Sequence, residues 1–359
     1  MRIALVTDWW LPRIGGIESQ VADLAAMLAS RGHAVRVLTT TERPVGPSGI
    51  QIDHIRSPMI GDVAAPDLRR VADLAARLAD GRPDVVHAHG MFSPLAIGAL
   101  LAARRLDVPS VSTTHSLLRP WPVFVAATAI FRLFSNRANV VTAVSAAAAN
   151  DARRASGREV VQIPNGVHLD EWRARSGSSD GVHIVAITRL VRKKSPIDLV
   201  YALHEALRRA PPGRVRMTLV GDGPERSRIE REAARLNISG HLALRGACTR
   251  AEVRELLATA SMLVQPGRHE AFGLALLEAR AAGVPVVAMA SGGVPELVED
   301  RRHGLLADTA KTFRAAVAEL ATNDDLRARC AAAAPQGLER FDWQRVIADH
   351  EAVYARAVR

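Results

Sequence analysis

The sequence predicts an α/β protein with two Rossmann-like parallel-sheet domains facing across a cleft. Three observations predict the two-domain α/β form. Short apolar runs alternate with amphipathic helical stretches almost from end to end, which argues a parallel sheet with helices on both faces. A polar, small-residue segment, Arg173–Gly181 (RARSGSSDG), splits that alternation into two series. Gly-marked and charged motifs fall where the apolar runs stop, and open parallel sheets bind ligands beyond the C-terminal edges of their strands. Two such edges turned toward each other would make one shared site.

The first series opens with IALVTD, a strand. A helical pattern from Ile17 to Arg31 follows, stopped by Gly32, and AVRVLTT is the next strand. DVVHAHG, SVSTTH, VVTAVS and VVQIPN repeat the theme. After the linker, HIVAITRL, RMTLVGDG, LALRG, SMLVQPG and PVVAMA form the second series. A helix follows Ala310, and a terminal helical segment runs from Trp343 to Arg359. The expected division is 1–173, 174–342, and a closing helix, 343–359, that packs back on the first domain. No repeat at solenoid period is present.

Composition narrows the function. The chain has 359 residues, 48% hydrophobic and 23% charged, which suits two or three soluble domains. Its formal charge of +10 does not read as a nucleic-acid footprint. The only lysines are Lys193, Lys194 and Lys311, so nearly all the positive charge is scattered arginine, and aromatics are only 4%. Weak attraction to anionic lipid or anionic substrates is compatible with that charge. Cys248 and Cys330 form no ligand pattern and read as reduced thiols of a cytoplasmic protein. MRIALVTDWW reads as a strand, not a signal peptide, because Asp8 arrives before any long apolar region. No apolar stretch is long enough to span a bilayer. PWPVFVAATAIFRLF at 120–134, interrupted by Arg132, reads first as a buried or groove-lining helix and second as a contact with the inner face of a membrane.

Four constellations could carry chemistry. In HEAFGLALLEARAAGVPVVA, Glu270 precedes a helix entered through Ala271, Phe272, Gly273 and Leu274, and Glu278 lies two turns inside it. Exposed N–H groups and the helix dipole favour a phosphate at such an entrance. A carboxylate beside a phosphate repels it, so Glu270 points instead to sugar hydroxyls. Taken alone, Glu278 in an Ala/Leu-rich helix is a solvated face residue; the Gly-marked entrance and the SGGVPE turn beyond PVVAMA shift the balance to a site. Arg189 and Lys194, in ITRLVRKKSP, can both reach one diphosphate, Arg as a fork and Lys as a point charge. Arg192 and Lys193 read as solvated. Gly15 and Gly16, followed by Glu18, sit between the first strand and the first long helix, where backbone can approach a phosphate; a plain turn is the competing reading. His115, in STTHS at the end of a strand, can bond a sugar hydroxyl as a neutral imidazole. His87 and His89 on the neighbouring run would line the acceptor side. No carboxylate or thiol shares the spacing of these histidines, so a metal is not expected. Asn165 and Asp222 mark further strand ends.

Together with PNGV at 164–167 and VGDGPE at 220–225, these residues resemble the family-4 glycosyltransferases of the GT-B fold over nearly the whole chain, and the Glu270–Glu278 pair matches that family's EX7E signature. The resemblance implies a retaining hexosyltransferase that moves a sugar from a nucleotide-diphosphate donor with no cofactor and no bound metal. It implies an acceptor-binding first domain and a donor-binding second one. Arg189 and Lys194 would hold the diphosphate, with Gly15 and Gly16 approaching it from the other domain. Phe272, Gly273 and Leu274 would form the donor's helix entrance, Glu278 would bind the ribose, and Glu270 and His115 would contact the transferred sugar. Glu18 and His89 are assigned to the acceptor, a lipid, an inositol or a small glycan. UDP-N-acetylglucosamine is the favoured donor, on likeness to transferases acting on phosphatidylinositol; GDP-mannose and a non-catalytic sugar-nucleotide-binding role are the alternatives. Two positions depart from the family pattern: Ser195 stands where Gly is usual after Lys194, and His168 follows PNGV where Asp is common.

Overall fold

The computed structural model describes all residues except 57–58, 61–62, 65–67, 91–92, 119–122 and 174–180. Most of the expected linker, and the start of the 120–134 stretch, therefore lie outside the described residues. The chain forms two compact units, residues 1–166 with 341–359, and residues 167–340.

The first unit is built on a seven-stranded parallel sheet, β1 (Arg2–Thr7), β2 (Ala34–Thr39), β3 (Gln51–His54), β6 (Val85–His89), β7 (Ser110–Thr114), β8 (Val140–Ala143) and β9 (Val161–Gln162), in the order β3-β2-β1-β6-β7-β8-β9. A two-stranded pair, β4 (Met59–Ile60) and β5 (Val63–Ala64), stands apart from it. Because side chains alternate along a strand, β1 feeds two cores. Ile3 and Leu5 pack with Val21, Leu24 and Leu28 of the helix Gly16–Ser30, while Ala4 and Val6 pack with Leu74, Leu78, Leu95 and Ala99. The C-terminal helix Trp343–Val358, capped by the Asp342 side chain on Gln344 N–H, contributes Trp343, Val346, Ile347, Val353 and Tyr354 to the first of these cores.

The second unit repeats the plan with six parallel strands, β10 (Val182–Ile187), β11 (Val215–Val220), β12 (Leu242–Gly246), β13 (Met262–Gln265), β14 (Val286–Met289) and β15 (Gly304–Ala307), ordered β12-β11-β10-β13-β14-β15. Val182, Ile184 and Ala186 pack under Leu199, Val200 and Leu203, with Phe313, Val317 and Leu320 filling the same core. In each sheet the order reverses between the first strand and its inward neighbour, β1 beside β6 and β10 beside β13. Ligands of such sheets gather at that reversal, and Gly15, Gly16 and His89 in the first unit and Arg189, Lys194 and Glu270 in the second follow or end the strands that flank it.

Three features of the strand pattern were not expected from the sequence. Gln51–His54 is a half-buried edge strand with three polar residues, the 59–64 pair is too short to show a period, and Gly304–Ala307 is a four-residue run. No described helix is long and apolar enough to cross a membrane.

Candidate active site

In the second unit, β10 ends at Ile187 and the chain turns through Arg189 to a short 3-10 turn, Arg192–Lys194. The adjacent turn at 220–225 supports this loop. A Cβ on Gly221, at φ +127°, would stand 1.9 Å from Thr188 O, and one on Gly223, at φ +151°, 2.5 Å from Leu190 O. Only glycine permits that approach, and the backbone bond from Leu190 N–H to Asp222 O (2.9 Å) depends on it. VGDG is thus the bed on which the Arg189 loop lies. Ser195 closes the turn in the left-handed region, φ +52°. A glycine would adopt that conformation freely, which gives a physical reason for the family's preference.

Lys194 Nζ donates to Glu270 Oε2 at 2.6 Å, and Gln265 Nε2, at the end of β13, donates to the same oxygen at 2.6 Å. The Lys194 and Glu270 side chains are 18% and 17% exposed. The sequence presented Glu270 as a carboxylate repelling a phosphate; the ion pair with Lys194 removes that objection. Gly267 lies so close that a Cβ there would touch Lys194 Cδ at 3.4 Å. Arg189 is exposed and pairs with no carboxylate among the described residues. Partial burial pushes the Lys193 ammonium below its ordinary range, with Arg189 and Lys194 adding repulsion and Glu270 opposing. Lys193 therefore belongs electrostatically to this group of cations, although the sequence marks it as merely solvated.

Beyond Glu270 the chain enters the helix Leu274–Ala281 through Gly273, at φ +104°. Phe272 is buried and Leu274 is partly exposed. The first N–H groups of this helix have no acceptor within it. Glu278 is 9% exposed, not the solvated face residue that its surroundings in the sequence suggest, and its Oε1 lies 3.9 Å from Arg250 Nε. The Arg250 guanidinium sits over the Trp172 ring, 5.6 Å from its centroid. The SGGVPE corner leads only to a four-residue helix, Val294–Leu297, too short for the dipole site that a Gly-Gly turn suggests. It instead ties Gly293 N–H to Glu270 O at 3.0 Å and Ser291 Oγ to Arg268 O at 2.7 Å, holding the Glu270 loop in place.

In the first unit, the loop after β1 is anchored by buried Trp10, whose Nε1 donates to Val45 O at 2.6 Å. The Gly15–Gly16 turn opens the helix Gly16–Ser30, and a Cβ on Gly16 would meet nothing within 4 Å, so its backbone faces open space. Gly15 differs: a Cβ there would stand 2.3 Å from Glu18 Oε2. The Glu18 carboxylate, 6% exposed and 3.3 Å from Arg13 Nε, folds back onto its own helix entrance. A first-turn carboxylate is favoured there by the dipole.

His115 follows β7 and is half-buried; its Nε2 lies 3.1 Å from His89 Nδ1 at the end of β6. His87 is fully buried, with Nδ1 2.8 Å from Tyr354 Oη and Nε2 2.6 Å from Thr113 Oγ1. It is pinned inside the fold and does not line an acceptor surface. Burial holds His87 and His89 well below the ordinary imidazole range, with neighbouring histidines adding to the effect. Burial likewise brings His115 to about 4. All three are neutral at pH 7. Among the described residues, no three His, Cys, Asp or Glu side chains form a group that could hold a metal ion.

In the PNGV motif, Gly166 exchanges two 2.8 Å bonds with the Gln20 amide, and a Cβ on it would strike the Trp343 ring at 2.4 Å. His168 stands at the N-cap of the helix Leu169–Trp172. Four residues of these clusters are not singled out by the sequence. Gln265 could have been found as the polar end of an apolar strand. Arg250, Trp172 and His350 (in the C-terminal helix) carry no such signal.

The sequence matches the family model "Glycosyltransferase Family 4" over residues 14–171 and "Glycosyl transferases group 1" over residues 170–337. The chain belongs to glycosyltransferase family 4 and has the GT-B fold. Among its relatives, the GDP-mannose-dependent alpha-(1-6)-phosphatidylinositol monomannoside mannosyltransferase of Mycolicibacterium smegmatis is 30% identical, over 85% of this chain and 84% of the relative. A subunit of the phosphatidylinositol N-acetylglucosaminyltransferase from Arabidopsis thaliana is 27% identical, over 100% of this chain and 83% of the relative. The structure of Anabaena Alr3699/HepE in complex with UDP and glucose superimposes with a TM-score of 0.80 at 22% identity, covering 99% of each chain.

Proposed function

We propose that this glycosyltransferase is a retaining enzyme that moves a sugar from a nucleoside-diphosphate donor to a hydroxyl of an inositol-bearing acceptor. The observation that carries the donor half is the cluster of Lys194, Glu270 and Gln265 at the β10/β13 reversal, beside exposed Arg189 and an open helix entrance at Gly273. On this reading Lys194 and Arg189 hold the diphosphate, the N–H groups after Gly273 take one of its oxygens, and Glu278 binds the ribose. Glu270 orients the sugar hydroxyls, its charge balanced by Lys194. In the first unit, His115 offers a neutral imidazole to the sugar and Gly16 offers bare backbone to the phosphate.

The acceptor oxygen bonds to the anomeric carbon as the bond from that carbon to the phosphate oxygen breaks, on the same face. The departing diphosphate takes the acceptor's proton. Negative charge grows on the leaving group, so Lys194 and Arg189 stabilise the transition state more than the bound donor. Glu270, paired to Lys194, acts as a positioning group and forms no glycosyl ester.

Both relatives described above are named for transferases acting on inositol lipids, which favours an inositol-bearing acceptor; their names differ in the sugar. UDP-N-acetylglucosamine is our first donor and GDP-mannose the second. The test incubates each donor with phosphatidylinositol and with free inositol phosphate, reads products by mass spectrometry and reads their anomeric configuration by proton NMR. One glycosylated inositol product with the anomeric configuration of the donor is expected. Nucleotide binding with no transfer to either acceptor would favour a non-catalytic role.

A further inference from the structure

The histidines of the first unit extend further than the reaction requires. His350, on the C-terminal helix and 7% exposed, lies beside His87 with 5.7 Å between ring centroids and the rings tilted 46° to each other, and burial brings its imidazole to about 3. His89, 3% exposed, lies 4.0 Å from the His87 ring and 5.4 Å from that of His115. His87 is saturated by Tyr354 and Thr113, so it fixes the His89 ring by contact alone. Two buried nitrogens are left. Among the described residues, His89 Nε2 and His350 Nδ1 have no hydrogen-bond partner.

Both residues line one cavity of about 20 Å³, along with Gln20, Thr113, His115 and Asn165. One water needs roughly 10–15 Å³ of such space and two to four polar partners. Leaving two ring nitrogens buried and unsatisfied is costly, whereas a bridging water satisfies both.

We propose that a single bound water joins His89 Nε2 to His350 Nδ1, and that the resulting chain, His115–His89–water–His350, sets which ring nitrogen of His115 carries its proton. A neutral imidazole has one N–H and one lone pair. Once the bond between His89 Nε2 and the water has a direction, which the His350 ring fixes by orienting that water, both nitrogens of His89 are assigned, and with them the tautomer of His115. The second nitrogen of His115 is then presented as a donor or as an acceptor, not as a mixture. His89 and His350 thus become positioning residues, and the C-terminal helix acts on a residue 235 positions earlier in the chain. The catalytic consequence rests on the role proposed for His115 above; the water site does not.

Nitrogen-15 and carbon-13 correlation spectra of the imidazoles in the full chain read the tautomers directly. In the wild type, His89 and His115 should each show one tautomer. His350→Phe keeps a ring but removes the nitrogens; it should turn His115 into a tautomer mixture and lower kcat about tenfold with little change in KM. His350→Gln, which restores a polar partner for the water, should recover the single tautomer. Unchanged His89 and His115 nitrogen shifts in His350→Phe would overturn the proposal. Should that variant fail to fold, a high-resolution crystal structure of the wild type decides: water density between His89 and His350 supports the chain, and its absence refutes it. His115→Ala separates the two ideas, because full activity in that variant would sink the role of His115 in transfer and leave the tautomer result standing.

Discussion

The two units share a topology and differ in what they place at the same point of it. At the β1/β6 reversal the first unit gathers neutral, buried imidazoles and a glycine turn over which Glu18 already lies. At the β10/β13 reversal the second unit gathers cations, a carboxylate pair and an open helix entrance. A sheet of this order supplies a location, and side chains supply the chemistry. An imidazole kept neutral by burial can only hydrogen-bond, while a partly exposed lysine and arginine can neutralise growing charge. The division of labour proposed above follows that contrast.

Acidification should separate the units most. His87, His89, His115 and His350 have folded values below the unfolded value of about 6.5. As pH falls below that value the unfolded chain takes up protons first, so stability is complete above it and is lost progressively as pH falls toward the folded values, about 4 for His115 and about 3 for His350. At pH 5 each fully buried histidine withdraws up to about 2 kcal/mol. Hydrogen-exchange protection in β6 and β7 should therefore drop further between pH 7 and pH 5 than in β13 and β14. The second unit carries fewer such groups, His183 and His303, and they are not clustered. Equal loss in both units would break the contrast.

Lys194→Ala comes next. It removes the cation and leaves Glu270 unbalanced, so kcat should fall about 10²- to 10³-fold, as for loss of one transition-state donor. Unchanged turnover in steady-state assays would end the diphosphate assignment. Glu278→Gln keeps the shape but weakens the pairing with Arg250; donor KM should rise about tenfold, equal to about 1.4 kcal/mol, with kcat much less affected. Wild-type donor affinity in that variant would remove Glu278 from the donor site. The smallest effect belongs to Ser195→Gly, which relieves a left-handed serine at some cost in chain entropy. Its melting temperature should stay within a few degrees of wild type, and a large drop would mean that the Ser195 side chain holds the loop.

Much of this is legible without the structure. Buried parallel strands read as apolar runs, so β10 and β13 and the motifs at their ends can be placed, and the signature spacing locates Glu270 and Glu278. Pairing between distant segments cannot be read. Nothing near Glu270 in sequence announces Lys194 as its partner, and nothing near Glu278 announces Arg250. Glu278 looks solvated because an Ala/Leu helix hides which face is covered. His350 lies unseen in ADHEAVY, where a buried histidine and an exposed one have the same helical spacing. Ser195 is visible as a departure, but its meaning needs the positive φ.

The most direct test of the central claim is a metal-free titration of wild type and Lys194→Ala with UDP, GDP, ADP and dTDP, followed by calorimetry or thermal shift. The account predicts that one of these nucleotides binds the wild type and that its affinity falls at least tenfold in the variant. Equal affinity of that nucleotide for both proteins, or no binding of any to the wild type, would contradict it.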